Sequence, residues 1–252
     1  MGEVAVRSSV SFGDRLIRLM ERVDTRRADS VADREAVYRQ RYDAYVREGM
    51  INPTPGGKLT DAFDDLPNAY VFGIHIDGQL VSSIRIVVVS PQFPNSPAVS
   101  WFEDELKPEV AAGKVIIDPN RFAADAEATR AFPELPYITV RLGFVAALHF
   151  DADIVTATVR DEHQAFYQRV FGLQKDISPR LRPTIEKPIG LMSIREFSTR
   201  ERIMRRYPCF ASTPEERQRL FDRGPKDAAS QVRGRNGAPA PARQDTGALH
   251  LV

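Results

Sequence analysis

The sequence predicts a single α/β domain, a mixed central sheet with helices on both faces. Three observations predict it. Ala69 to Ile76 and Gln79 to Val89 are β-rich runs joined by Asp77-Gly78, the two-residue signature of a hairpin. Around that hairpin the chain reads helix, hairpin, strand, helix, strand, helix, strand, an order that packs helices against a sheet. With 252 residues, 42% of them hydrophobic and 27% charged, the chain is long and apolar enough to bury one large core.

Residues 1–29 read as a lead-in. Phe12, Leu16, Leu19, Met20 and Val23 share one helical face, with Arg15, Arg18 and Arg22 outside it. Such a stripe either packs on its own domain or makes a weak membrane-surface contact. Val23 to Arg27 reads as a first strand. The domain proper is expected over residues 30–222. Ser30 suits an N-cap with Asp33 in the first turn, and Gly49 stands where a glycine ends a helix. That helix sets Tyr38, Arg41, Tyr42 and Tyr45 on one face.

Residues 52–60 form a loop by their Pro and Gly content, and so does the Pro-rich stretch after the hairpin. A short segment around Trp101 to Glu109 follows. Val115 to Ile117 reads as a strand interrupted by Asp118-Pro119. Pro136 suits the first turn of a helix reaching Phe150. Ile154 to Val159 is a strand, Asp161 to Val170 a helix stopped by Gly172, and Thr184 to Ile194 contains another strand. Residues 196–222 read as helical, with Thr213-Pro214-Glu215-Glu216 as a start signal. Residues 223–252 turn to Gly, Pro, Ala, Arg and Gln and read as a disordered tail.

Bulk chemistry excludes several classes. Lys plus Arg (35) balances Asp plus Glu (34), so the chain lacks the basic field of a nucleic-acid binder. A single cysteine excludes an internal disulfide framework and suits a reducing compartment. No apolar run approaches the roughly 20 residues of a spanning helix, and no signal-peptide h-region is present. A cytoplasmic protein is expected. No metal-ligand spacing occurs, and Cys209 has no histidine near it in sequence to activate it.

Charges stand where a core belongs. Pairing across Asp77-Gly78 sets Arg85 opposite Tyr70, on the face of Phe72, Ile74 and Val81. Arg41 sits inside an aromatic stripe. A buried cation needs an anionic partner, so two inward arginines predict inward carboxylates. Asp61, Asp64, Asp65 and Asp118 are the candidates, with Arg121 three residues beyond Asp118. Two readings remain open: a salt-bridge network that only orders loops, or a polar pocket for a zwitterionic substrate.

Specific motifs bear on that choice. Arg41-x-x-x-Tyr45, Asp61-x-x-Asp64 with Arg85 21 residues on, and Asp118-x-x-Arg121-Phe122 occur in the order found in the autoinducer-synthase branch of the GNAT-type acyltransferases. Asp118 replaces the glutamate, and Met50-Ile51 the tryptophan, that acyl-homoserine-lactone synthases favour. The wording of Glu48 to Pro53, Ile117 to Phe122, Pro133 to Tyr137 and Arg160 to Tyr167 resembles the long-chain N-acyl amino acid synthase family more closely. The likeness spans roughly residues 30–195.

The resemblance implies a GNAT-like fold with a splayed fourth strand, Val115 to Ala124, beside which an acyl-phosphopantetheine arm lies while a strand N–H polarises the thioester carbonyl. It implies transfer of a long acyl chain from an acyl carrier protein thioester to the amine of an amino acid, with no resident cofactor. Asp118 is the first candidate to attract and deprotonate the amine, and Asp64, held by Arg85, the second. Arg121 would order Asp118 or the acceptor's carboxylate, and Tyr167 would protonate the leaving thiolate. Read as a structural residue, Tyr167 is a core aromatic and His163 a helix-start residue. Arg41, Tyr45, Asp61, Arg85, Phe122 and Ala123 complete the implied substrate-binding set.

The donor could also be coenzyme A. Ala123 to Tyr137 contains no glycine, however, where coenzyme A users cradle a diphosphate on backbone N–H groups. That favours acyl carrier protein as partner, docked on Arg169, Lys175, Arg180 and Arg182, with a single phosphate still accommodated near Tyr137. A lactone-forming signal synthase and a non-catalytic acyl- or metabolite-binding module are the alternatives.

Overall fold

The computed structural model describes residues 11–182, 185–195 and 199–222. Its strands are β1 (Val23–Arg27), β2 (Ala69–Ile76), β3 (Gln79–Val89), β4 (Ile116–Ala124), β5 (Ile154–Val159), β6 (Gln174–Arg182) and β7 (Ile185–Arg195). They form one sheet in the order β1-β2-β3-β4-β5-β7-β6. Every neighbouring pair is antiparallel except β4 with β5.

The helices are α1 (Phe12–Met20), α2 (Val31–Arg47), α3 (Pro97–Trp101), α4 (Glu103–Ala111), α5 (Ala126–Ala131), α6 (Leu135–His149), α7 (Asp161–Phe171), α8 (Arg200–Arg206) and α9 (Pro214–Phe221). One core joins α1 and α6 to α9 with the sheet face of Phe72, Ile74, Ile84 and Ile117. On the opposite face α3 and α4 cover Val87, Val89 and Ile116, and α2 covers Val71. The domain is therefore a mixed sheet between two helical layers.

Local chemistry sets the boundaries. Ser30 Oγ accepts the Asp33 N–H at 3.0 Å and starts α2, and Gly49 ends it with φ +61°. Asp77 and Gly78 both take positive φ, as the hairpin turn requires. Leu16 and Leu19 of α1 are buried in the core, so the apolar stripe of the lead-in faces its own domain rather than a membrane, and β1 extends the sheet beside β2. Among the described residues no helix is long and apolar enough to cross a membrane. Inside α6, Arg141 donates to the Cys209 and Ala211 carbonyls and pairs with Glu216, which pins the C-terminal helices to the core.

Several sequence expectations change. The β2–β3 register slips by one between Ile74 and His75, so Arg85 stands opposite Val71 and not Tyr70. Side chains alternate along a strand, so this bulge moves Arg85 off the Phe72–Ile74 face and onto the face of α2. Asp118-Pro119 does not interrupt β4. Pro119 packs on α6 at Gly143, where an added Cβ would lie 2.7 Å from its ring. The irregularity comes two residues later, where Arg121 and Phe122 together oppose Ile84 and Arg121 takes φ +53°.

Within residues 199–222 a 3-10 turn at Pro208–Phe210 separates α8 from α9, and Thr213 Oγ1 accepts the Glu216 N–H at 3.1 Å where the sequence sets a helix start. Residues 196–198 and the expected disordered tail lie outside the described residues. The sequence reading also lacks α5 and β6. The latter is an edge strand with Pro179 and three register slips against β7.

Strand β4 follows β3 along its length but meets β5 only at Ile116–Ile154 and Ile117–Val155. Beyond Ile117 the two strands diverge. This is the splayed fourth strand.

Candidate functional site

Five charged side chains alternate in sign across the α2 face of the sheet: Arg41, Asp64, Arg85, Asp61 and Arg121. The 3-10 turn Ala62–Asp65 organises them. Asp61 caps the turn by accepting the Phe63 N–H at 2.9 Å, and Asp64 reaches back to accept the Asp61 N–H at 3.1 Å. Arg41 donates to both Asp64 oxygens at 3.1 and 3.0 Å. Arg85 Nη1 lies 3.0 Å from Asp64 Oδ1 and 2.6 Å from Asp61 Oδ1, and its Nε donates to Asn120 Oδ1 at 2.7 Å. Arg121 Nη2 closes the series on Asp61 Oδ2 at 2.6 Å.

An aromatic ring lies near each guanidinium: Tyr38 at Arg41, Phe63 at Arg85 and Tyr45 at Arg121. Three cations against two anions leave the series one positive charge in excess. Burial opposes ionisation of Asp61, but Arg85 and Arg121 overcome it and hold the carboxyl far below the usual carboxylate range.

The series borders a cavity of about 1040 Å³ that opens where β4 and β5 diverge. This is at the upper end of the roughly 300–1,000 Å³ of ligand pockets. Ile84, Val140, Phe144, Phe171, Leu173 and Ile194 line its apolar interior. Tyr45, Asp61, Arg85, Asn120, Arg121 and His163 supply polar groups to its wall. One space therefore offers an apolar chain site and a charged site on either side of β4.

The sequence-predicted residues divide into two groups. Tyr45, Asp61, Arg85, Arg121, Phe122, Ala123 and Tyr167 border the cavity. Arg41, Asp64 and Asp118 do not, and all three are fully buried. Asp64 is occupied by two guanidiniums and the turn it closes. Asp118 Oδ2 accepts the Ala98 N–H at 2.9 Å and ties α3 to the sheet. Burial pushes its pKa up, opposed by hydrogen bonds from Ala98 and Ser96. Arg121 orders Asp61 rather than Asp118. Asp118 Oδ2 is thus turned toward α3, and Asp118 is not part of the cavity wall.

Tyr167 packs against Phe166 and Phe171, with ring centroids 5.2 and 6.3 Å away. Burial pushes its phenol well above the usual range, so it remains a proton donor at neutral pH. His163 Nε2 lies 2.7 Å from Arg160 Nη2. A guanidinium only donates, so that nitrogen accepts and the ring proton sits on Nδ1. Burial and the Arg160 charge lower the His163 pKa. Burial raises the Cys209 thiol to about 11, which leaves it inert. Among the described residues no cluster of His, Cys, Asp and Glu suits a metal ion.

Phe63, Trp101, Asn120 and Arg160 also border the cavity, as do Arg47 and Arg130, and none of these is among the sequence-predicted site residues. Asn120 and Arg160 lie inside motifs noted above. Phe63 and Trp101 carry no sequence signal of their own. The start of α6 is not open to a phosphate as the sequence suggests. Glu134 sits there, paired with Arg15, and Tyr137 packs among Phe12, Phe166 and Tyr207.

A family model described as N-acyl amino acid synthase FeeM matches residues 36–195. Among solved structures, FeeM, an N-acyl amino acid synthase from uncultured soil microbes, aligns with a TM-score of 0.59 at 20% identity, covering 69% of this chain and 91% of that one. BjaI, a CoA-dependent acyl-homoserine lactone synthase, aligns with a TM-score of 0.53 at 16% identity, covering 83% of this chain and 98% of that one. At these identities the likeness is one of fold, and the fold is GNAT-like. No curated protein matches the sequence.

Proposed function

The chain belongs to the FeeM N-acyl amino acid synthase family and is an N-acyltransferase, and on that premise we propose that it moves a long acyl chain from an acyl carrier protein thioester to the amine of an amino acid. The observation that carries this reading is the cavity at the β4–β5 divergence, apolar within and bordered by the Arg85–Asp61–Arg121 series. A long acyl chain suits the first part and a zwitterion the second.

In this reading Asp61 draws in the acceptor's ammonium and Arg121, at the end of a series with one excess positive charge, takes its carboxylate. The ammonium gives a proton to water at Asp61, which is too weak a base to keep it. The free amine attacks the thioester carbonyl, polarised by an N–H of the splayed β4. The C–N bond forms, the C–S bond breaks, and Tyr167 protonates the departing thiolate while regaining a proton from the nitrogen. Arg41, Asp64 and Asp118 act behind this layer as positioning residues, and Phe122 and Ala123 flank the thioester.

BjaI is CoA-dependent, so the fold admits that donor. The glycine-free stretch between β4 and α6, with α5 capped by its own Asp125, supports a carrier protein instead. Arg169, Lys175 and Arg180 would meet its acidic surface. Arg182 is drawn aside over the Phe102 ring, 4.4 Å from its centroid. The cytoplasm, where acyl carrier thioesters are held, is the compartment this chemistry requires.

Mass spectrometry of lipids from cells expressing the protein tests the reading. N-acyl amino acids are expected. Acyl lactones would favour a signal synthase, and no new lipid in several hosts would favour a binding module.

A further inference from the structure

Both helix starts near the end of β4 are closed to an anion. At α5, Asp125 Oδ1 accepts the Ala128 N–H at 2.8 Å, so a carboxylate already occupies the first turn. At α6, the buried Glu134 stands at the start and Pro136 lacks an N–H. On the proposed reading a pantetheine arm lies beside the splayed β4 and carries a phosphate toward the end of that strand.

Two arginines stand there. Arg47, at the end of α2, donates to the Ala124 carbonyl at 2.9 Å and borders the cavity. Its nearest carboxylate is Glu48, at 3.6 Å from Nε. Arg130, on α5, also borders the cavity, and it has no ion-pair or hydrogen-bond partner among the described residues. Ala124, Ala126 and Thr129 also border the cavity. Small side chains at two of these three positions leave room for a group to pass from the cavity toward both guanidiniums.

We infer that Arg47 and Arg130 form a side-chain site for the phosphate of the donor's phosphopantetheine arm, in place of backbone N–H groups at a helix start. The inference rests on the proposed thioester reading. Guanidinium forks suit a phosphate's oxygens and tolerate a capped helix start, because the positive charge comes from the side chains. The site recognises the phosphate that carrier-bound and coenzyme A-bound pantetheine share.

The test uses one acyl chain on three donors: the carrier protein, coenzyme A, and pantetheine without phosphate. Wild-type protein should use both phosphate-bearing donors with higher kcat/KM than acyl-pantetheine. Arg130→Ala should reduce the coenzyme A-to-pantetheine ratio roughly tenfold, through KM, and Arg47→Ala should act in the same direction. Arg130→Lys should restore part of the ratio. Equal losses on all three donors, or an unchanged ratio in folded variants, would overturn the site. No turnover of any thioester by wild-type protein would instead remove the acyltransfer reading beneath it.

Discussion

Arg41 Nη1 donates to both carboxylate oxygens of Asp64, at 3.1 and 3.0 Å, and neither side chain has any solvent exposure. Asp64 also meets Arg85 at 3.0 Å, so one buried carboxylate pairs with two buried guanidiniums. Removing it leaves Arg41 without a carboxylate and Arg85 with Asp61 alone. Asp64→Ala should cost about 3–5 kcal/mol of unfolding free energy, and Arg85→Leu about 3 kcal/mol, because it takes one guanidinium from each of two aspartates and leaves Asp64 with Arg41 and Asp61 with Arg121. Urea denaturation reads both. A midpoint unmoved in either variant would mean that the series is open to water.

Asp118→Asn should fold normally and keep turnover within about tenfold of wild type. The amide oxygen can still accept the Ala98 N–H, and the carboxylate does not border the cavity. Steady-state kinetics at neutral pH decide the point. A kcat loss beyond about a hundredfold would put Asp118 in the proton path.

Asp61 gives a pH signature. Its folded pKa lies below its unfolded value, so the pairing with Arg85 and Arg121 stabilises the fold fully above the unfolded carboxylate range near 4. That contribution is lost only as pH falls through the folded pKa. The melting-temperature gap between wild type and Asp61→Asn should therefore be constant from pH 8 to about 5 and shrink below about 4. A gap that closes between pH 7 and 5 would mean that the guanidiniums do not hold Asp61 ionised.

Tyr167→Phe should lower kcat roughly tenfold to a hundredfold with little change in KM, since a phenol kept protonated by burial is lost while the ring packing stays. The loss should be smaller with an acyl donor whose thiol is more acidic, because that thiolate leaves without help. Equal losses on both donors would show that the hydroxyl acts on something other than the leaving group.

Much of this site was legible in the sequence, for reasons that differ by residue. Asp77-Gly78, Ser30, Gly49 and Gly172 mark ends of elements because turns and caps are local chemistry. Arg41 and Arg85 declared themselves as charges inside apolar stripes, and both are buried. The face of Arg85 was not legible, because the bulge at Ile74–His75 follows from how the hairpin packs between two helical layers and not from its turn. Asp118 misleads for a related reason. Its partner is a backbone N–H 20 residues upstream, brought over by a Pro-rich loop whose path no periodicity records. The cavity's Phe63 and Trp101 come from a turn and a short helix that carry no pattern of their own.

Acyl transfer from a thioester to an amino acid amine is read most directly as product formation by purified protein. One long acyl chain is presented on the carrier protein and on coenzyme A, each with a mixture of amino acids, and amide product and free thiol are followed together. N-acyl amino acid should appear in step with released thiol, with higher kcat/KM from the carrier donor. That advantage should shrink as salt screens the docking of an acidic carrier on Arg169, Lys175 and Arg180. Equal efficiency with coenzyme A would remove the carrier assignment alone. Thiol release without amide, or no reaction with either donor and any amino acid, would contradict the account.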